Sequence, residues 1–370
     1  MDAIYWCSTC LNASTRPRIV FDSQGRCNAC VWAEQKQNLD WASREKQLTS
    51  TLDSLKPSAF GFDCLVPVSG GKDGSYVAYQ LRHVYGKNPL TVTVRPALPL
   101  ETGDRNLQNF IEKGYPHIHV SPDREAMQRL NKYGFIERGF PYFGWLTAIM
   151  TVPIQTALQF GIELIMYSED GEIEYGGVTT TADSPFYDFN YMRDIYLQGG
   201  YDEVLQKASL PDAQLGFFQF PSEDSSLNES LRVAHWSFFE PWDPYRNYLV
   251  AKEHCGLTEA QESGIGTFTN YAQNDQALYA LHTYLMYLKY GFGRATQDAG
   301  IEIRRNSMSR EQALHLVRMY DNSYPAAYID LYLSYFEMTL EEFHGVLAKW
   351  ANPDLFSFTN GVFEPKFMPR

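Results

Sequence analysis

The chain's 370 residues, 44% of them apolar, can bury a large core divided into two or three units. Its net charge of −13 is spread along the chain, which argues against nucleic acid as the main partner because phosphate backbones need a basic surface. No apolar run is long enough to cross a bilayer, and the opening MDAIYWCSTC lacks the charged and apolar regions of a signal peptide, so a cytoplasmic protein without membrane insertion is expected.

Residues 1–35 carry two matched knuckles, Cys7-x2-Cys10 and Cys27-x2-Cys30, sixteen residues apart. Each offers two thiolates on one tight turn, and together they make the closed S4 site of a zinc ribbon. A closed site has no open position for substrate, so Zn2+ there is structural. Residues 18–21 read as a short strand and 22–25 as a turn, the grammar of a hairpin. Disulfides or a redox pair are the alternatives. A reducing compartment disfavours the first, and one redox pair does not explain two knuckles.

Residues 36–60 link this ribbon to the rest, with a helix expected over 38–55. From 61 to 180 strands and helices alternate. Strands are expected at 63–68, 90–95, 117–120 and 162–167, and helices at 74–85, 104–113, 123–133 and 146–160. Such alternation predicts an α/β fold with a parallel, doubly wound sheet. Pro153 is expected to kink its helix or mark its start. Cys64 falls in a strand and reads as core, and Cys255 as an inert thiol. Residues 181–265, rich in Phe, Tyr, Asp, Ser and Pro, are irregular and read as a substrate-binding insertion. Residues 266–370 read as a helical region packed on the core, with helices at 272–290, 309–321 and 339–350. The last two open with capping boxes, Ser309-x-x-Gln312 and Thr339-x-x-Glu342.

Residues 66–76 read VPVSGGKDGSY. A strand that leaves through Gly-Gly into a helix presents successive backbone N–H groups at the helix N-terminus. With the helix dipole they form an anion site suited to phosphate. A Cβ there would hold the phosphate off the backbone. Lys72 adds a movable positive charge, and Asp73 can cap the helix or hold Mg2+. The spacing is neither that of the P-loop nor GxGxxG. A plain glycine-rich turn is the alternative.

SGGKD after a buried strand resembles the PP-loop of N-type ATP pyrophosphatases, whose usual form is SGGxDS. In chain order, CSTC, TRPRIVFDSQGRCNAC, DWASREKQL, DCLVPVSGGKDG, NPLTVTV, EDGEIEYGG, PWDPYRN and FGRATQDAGIEIRRNSMSREQA are similar to the N-acetyl sugar amidotransferase family. That family makes acetamidino sugars for lipopolysaccharide and for nonulosonic acids of the pseudaminic and legionaminic type. The similarity covers nearly the whole chain. One position departs from the pattern: the sixth of the loop, usually serine, is Gly74, and serine follows at Ser75. Either Ser75 substitutes or nucleotide binding is weakened.

The resemblance implies a sheet of the PP-loop ATP pyrophosphatase type, with ATP and Mg2+ as cofactors. ATP is cleaved to AMP and pyrophosphate, the oxygen of an N-acetyl amide on a sugar or UDP-sugar is adenylated, and ammonia then turns C=O into C=NH. Ser69, Gly70, Gly71, Lys72, Asp73, Gly74 and Ser75 would hold the pyrophosphate end. Adenine would lie near Thr93, because ligands sit at strand C-terminal ends. Lys72, Asp73, Glu169 and Arg294 are the expected catalytic residues. Glu174, Tyr175, Trp242 and Asp298 are the expected substrate contacts, although the acidic turn at 169–174 also reads as a solvated surface. Arg304 and Arg305 suit phosphate or carboxylate, or surface ion pairs.

No cysteine occupies position 2, which is Asp2, and Cys255 lacks the setting of a glutaminase nucleophile. A separate glutaminase subunit is therefore the expected ammonia source, and a homo-oligomer is possible. Two rival classes remain. A tRNA-thiolating PP-loop enzyme would need cysteines beside the loop and a basic surface. A non-catalytic binding protein would use the ribbon and sheet as a platform.

Overall fold

A computed structural model of the chain describes residues 4–221, 230–359 and 361–370. Its centre is a six-stranded sheet built from β1 (Cys64–Pro67), β2 (Pro89–Val94), β3 (His117–Val120), β4 (Leu164–Tyr167), β5 (Phe186–Tyr187) and β6 (Arg232–His235), in the spatial order β3-β2-β1-β4-β6-β5. All pairings are parallel except β5 with β6. The fold is thus α/β with a mostly parallel sheet.

Burial on both faces explains the continuous apolar runs of β1, β2 and β4. Side chains alternate across a strand, so Leu65, Leu90, Val92, Ile165 and Val233 enter one core while Cys64, Val66, Leu164, Met166 and Ala234 enter another. The connecting helices include α2 (Trp41–Asp53), α3 (Lys72–Tyr79), α4 (Glu101–Glu112), α5 (Arg124–Tyr133) and α6 (Phe143–Phe160), after α1 (Asn28–Gln35) in the ribbon. Residues of α5 and α6 fill the first core, and residues of α2, α3 and the Pro244–His254 helix fill the second. Leu278, Leu281, Leu285 and Leu288 recur at helical spacing on the Leu278–Tyr290 helix and join the first core.

Several sequence expectations shift. Residues 18–21 form no strand: Arg18 has φ 64°, and the ribbon is held by isolated bridges, Trp6 with Ala13 and Phe21 with Cys27. Local backbone groups go to sulfur instead, as the amides of Thr9, Asn12 and Cys27 donate to Cys7 and Cys10 at 3.2–3.4 Å. The linking helix starts at Trp41 because Asp40 caps it, accepting from the Ser43 amide. Residues 181–265 are not wholly irregular, since they supply β5, β6 and several helical segments, the longest being Tyr201–Ala208 and Pro244–His254. The helix expected over 272–290 begins only at Leu278, because the preceding residues pair with the loop after β2: the Leu100 amide donates to the Asp275 carbonyl and the Ala277 amide to the Leu98 carbonyl, both at 2.9 Å. Helices Arg294–Arg304 and Ile329–Phe336 were not expected. Both capping boxes form as read.

Pro153 lies inside α6. Its missing N–H leaves the Ile149 carbonyl without its helical donor. The Tyr167 hydroxyl, at the end of β4, donates to that carbonyl at 3.1 Å. No helix among the described residues is long and apolar enough to cross a membrane.

Candidate functional site

From β1 the chain connects to β2 and β3 on one side, and β4 opens the other side of the sheet. The ends of β1 and β4 therefore flank a point where the strand order reverses, the usual place for a ligand in such sheets. A cavity of about 360 Å³ lies there. It is bounded by the turn after β1, by Val92, Thr93 and Val94 of β2, and by Tyr167, Ser168 and Glu169 after β4.

The three glycines of the turn serve three different needs. Gly70 has φ 79°, and a Cβ on it would stand 2.4 Å from the Leu107 backbone nitrogen, so the turn is pressed against α4. At Gly74 a Cβ would meet the Pro67 carbonyl oxygen at 2.6 Å. A side chain at this position, where the resemblance leads one to expect serine, has no room here. Gly71 alone has open space, with only the Ser69 hydroxyl within reach, at 3.3 Å. The amides of Ser69, Gly70 and Gly71 donate to no acceptor among the described residues. The mouth is thus a cradle of unpaired donors at the start of α3, which suits a polyphosphate.

Ser69, Gly70, Gly71, Lys72, Asp73, Gly74, Thr93, Glu169, Tyr175 and Arg294 all line this one cavity. The Lys72 ammonium pairs with Asp73, which also accepts from the Asn247 side chain at 3.2 Å. The Thr93 hydroxyl donates to the Val68 carbonyl. Burial, then the negative charge of Asp73, pushes the Glu169 carboxyl up to about 7, against the opposing charge of Lys72. The Tyr175 hydroxyl donates to Glu169 at 3.3 Å. Arg294 lies 2.8 Å from Asp298, which the Thr267 hydroxyl also reaches. Burial works against the guanidinium charge, but Asp298, Tyr175 and Glu169 outweigh it and raise its pKa. Asp73 and Glu169, two carboxylates facing one cavity beside a phosphate-type cradle, form a donor set that fits Mg2+.

Four expected residues lie off the cavity. Ser75 is fully buried with its hydroxyl unpaired, and Asp298 stands behind Arg294. Glu174 and Trp242 line a different cavity of about 370 Å³, together with Arg304 and Arg305. Both Glu174 oxygens are engaged, by the Trp32 indole at 3.0 Å and by Lys36 at 2.6 Å. These bonds tie the ribbon to a short helix, α7 (Gly171–Tyr175). The tie continues through Asn12 to the Tyr175 carbonyl (3.1 Å), Asn28 to the Gly177 carbonyl (2.6 Å) and a bidentate Arg18–Glu172 pair at 2.9 and 2.7 Å.

The four ribbon thiols, Cys7, Cys10, Cys27 and Cys30, are buried and lie within 4.8 Å of one another. With amide donors on their sulfurs they fit structural zinc. Cys64 and Cys255 are buried away from the cavity; burial raises both thiols, Cys255 to about 12. Neither is poised as a thiolate.

The sequence reading missed one wall. Residues 271–275 and Tyr279 also line the cavity, and Gly103 lets them approach α4, because a Cβ there would sit 2.3 Å from the Asp275 Cα. The polar triplet Asn274-Asp275-Gln276, set before an apolar helix, was the available signal. Burial pushes the Asp275 carboxyl up to about 6.

Residues 265–367 match the family model described as LPS biosynthesis protein WbpG-like, C-terminal domain. No curated protein matches the chain. The matched segment supplies the missed wall and Arg294, and it fits a sugar-modifying role in polysaccharide biosynthesis; on this match, the chain's C-terminal part resembles that of lipopolysaccharide-biosynthesis proteins.

Proposed function

We propose that the chain is an ATP-dependent, AMP-forming amidotransferase of the PP-loop type that converts an N-acetyl group of a sugar or UDP-sugar into an acetamidino group. One observation carries this reading: unpaired amides at the mouth of β1 open onto the same cavity as Glu169, Tyr175 and Arg294. An N-acetyl carbonyl is a poor electrophile. Transfer of AMP to its oxygen, with loss of pyrophosphate, makes that oxygen a leaving group. Ammonia then bonds to the carbon, the C–O bond breaks, and AMP leaves with the electron pair.

In this scheme the amides of Ser69, Gly70 and Gly71 donate to phosphate oxygens, and Lys72 neutralises their charge. Asp73 and Glu169 are placed to hold Mg2+, which would neutralise the departing pyrophosphate. Arg294 faces the charge that develops as AMP is transferred, and Tyr175 orients Glu169. Ammonia comes from a separate glutaminase partner. The burial of Cys64 and Cys255 away from the cavity weighs against a thiolating enzyme.

The test is incubation with candidate UDP-diacetamido sugars and nonulosonic acids, ATP, Mg2+ and ammonium. The expected result is AMP release with a product lighter by about one mass unit, oxygen having been replaced by NH. Absence of ATP–Mg2+ binding by calorimetry would favour the binding platform. Turnover of glutamine by the chain alone would exclude the need for a glutaminase partner.

A further inference from the structure

Beyond residues 271–276 lies another cavity, of about 520 Å³, that shares Ala272, Gln273, Asn274 and Tyr279 with the first. The two are separated by one strap of backbone in which Gln273 has φ 53°. Four polar side-chain atoms on three consecutive residues of this strap lack a hydrogen-bond partner among the described residues: Asn274 Nδ2, Asp275 Oδ2, and both Nε2 and Oε1 of Gln276. Gln276 is 0% exposed and lines the cavity. Tyr279 adjoins it, short of normal hydrogen-bond geometry. Asp275 lines only the first cavity, whereas Asn274 and Gln276 line this one. Folded proteins pair nearly all buried polar atoms, so the three unpaired atoms of Asn274 and Gln276 mark a place here where a ligand completes the bonding.

The lining identifies the ligand's chemistry. It contains no Lys, Arg or His, while Glu101 and Glu262 stand on it. A phosphate or carboxylate is therefore not seated there. Carboxamides and hydroxyls such as Gln261, Asn270, Thr267 and Thr283 make up much of the rest, and such groups exchange donors and acceptors with hydroxyl and amide groups.

We infer that this cavity seats a neutral, N-acylated sugar ring and that Gln276 reads it, donating through Nε2 to a carbonyl or hydroxyl oxygen and accepting at Oε1 from an N–H or O–H. The ring would share the wall of Ala272, Gln273, Asn274 and Tyr279 with the first cavity. Any acidic group of the same ligand faces the Arg294 side. The choice of an N-acetylated sugar rests on the proposed amidotransferase reading.

The test is calorimetric titration of the full chain with a UDP-diacetamido hexose and, separately, with ATP–Mg2+. Gln276→Leu removes unpaired polar atoms at nearly constant shape, so its melting temperature is expected to equal or exceed that of the parent. The sugar probe is expected to bind about tenfold or more weakly, the scale of one lost hydrogen-bond pair, while ATP–Mg2+ affinity stays within about twofold. Asn274→Ala, at a less buried position, is expected to weaken the sugar probe in the same way and decides the matter if Gln276→Leu folds poorly. Failure of the parent to bind the probe, or unchanged binding in both variants, overturns the inference. Probe binding that depends on Gln276 without amidine product leaves the sugar site standing and removes the amidotransferase reading. Amidine product with unchanged KM in both variants does the reverse.

Discussion

A side-chain carbon added to Gly70 would stand 2.4 Å from the Leu107 backbone nitrogen, whereas one added to its neighbour Gly71 would touch only the Ser69 hydroxyl, at 3.3 Å. The two glycines therefore separate folding from binding. Gly70→Ala is expected to cost about 3 kcal/mol, from the backbone clash and its positive φ. Gly71→Ala is expected to melt within a few degrees of the parent yet bind ATP–Mg2+ at least about tenfold more weakly, because its Cβ holds phosphate off the amides. Thermal melts and calorimetry on the two variants check this. Equal ATP affinity in Gly71→Ala and the parent would remove the cradle from the account.

Placing at position 74 the serine that the resemblance leads one to expect should harm this protein. In Gly74→Ser the new Cβ meets the Pro67 carbonyl oxygen at 2.6 Å. Overpacking of this kind costs about 1–3 kcal/mol. A melting temperature unchanged or raised, with tighter ATP binding, would show that the loop has room for the hydroxyl after all.

Glu169 ties stability to pH. Burial and the Asp73 charge raise its carboxyl from 4.5 to about 7 in the folded chain. The folded state thus holds the proton more tightly than the unfolded one. The sign follows: the favourable contribution is complete below about 4.5 and is lost as pH rises through about 7. The loss amounts to at most roughly 3 kcal/mol. Glu169→Gln is expected to remove that fall, read as the difference between parent and variant in denaturant titrations from acid to neutral pH. If Asp73 and Glu169 share Mg2+, binding of ATP–Mg2+ near pH 6 also releases a proton in the parent and none in Glu169→Gln, measurable by calorimetry in buffers of different ionisation enthalpy.

Zinc removal is expected to reach the cavity through α7. The ribbon grips that helix by Asn12, Trp32, Lys36 and the Arg18–Glu172 pair, and Tyr175 at its end holds Glu169. In small peptides structural zinc contributes about 10–16 kcal/mol, so Cys7→Ser or a strong chelator should unfold the ribbon outright. The parent chain is expected to carry tightly held zinc by metal analysis, and its loss is expected to weaken ATP–Mg2+ binding. Metal-free protein with full nucleotide affinity would sever that link.

The local elements were legible because each is written in a short window. Three strands, β1, β2 and β4, showed as apolar runs and β3 by its place in the alternation, both late helices announced themselves by their capping boxes, and the paired CxxC knuckles and SGGKDG turn stood out by spacing. The turn's residues could be read from a glycine-rich motif at a strand end, whereas Glu169, Tyr175 and Arg294, which line the same cavity, were expected as site residues on the resemblance to a known family. Strand β5 escaped notice because it has only two residues, and β6 because Arg232 and His235 at its ends leave no apolar run.

Composition, apolar periodicity and cysteine spacing determined the α/β class, the metal-type cluster and the loop at the end of the first strand, since those depend on residues near one another in the chain. Tertiary structure alone decided that Glu174 faces the ribbon, that Gly70 and Gly74 answer to Leu107 and Pro67, and that Asn274, Asp275 and Gln276 wall two cavities. The physical reason is separation along the chain. Asp275 meets Gly103, and Glu174 meets Lys36, only after the sheet has folded, and no local pattern encodes which distant group will neutralise a charge or leave a polar atom unpaired.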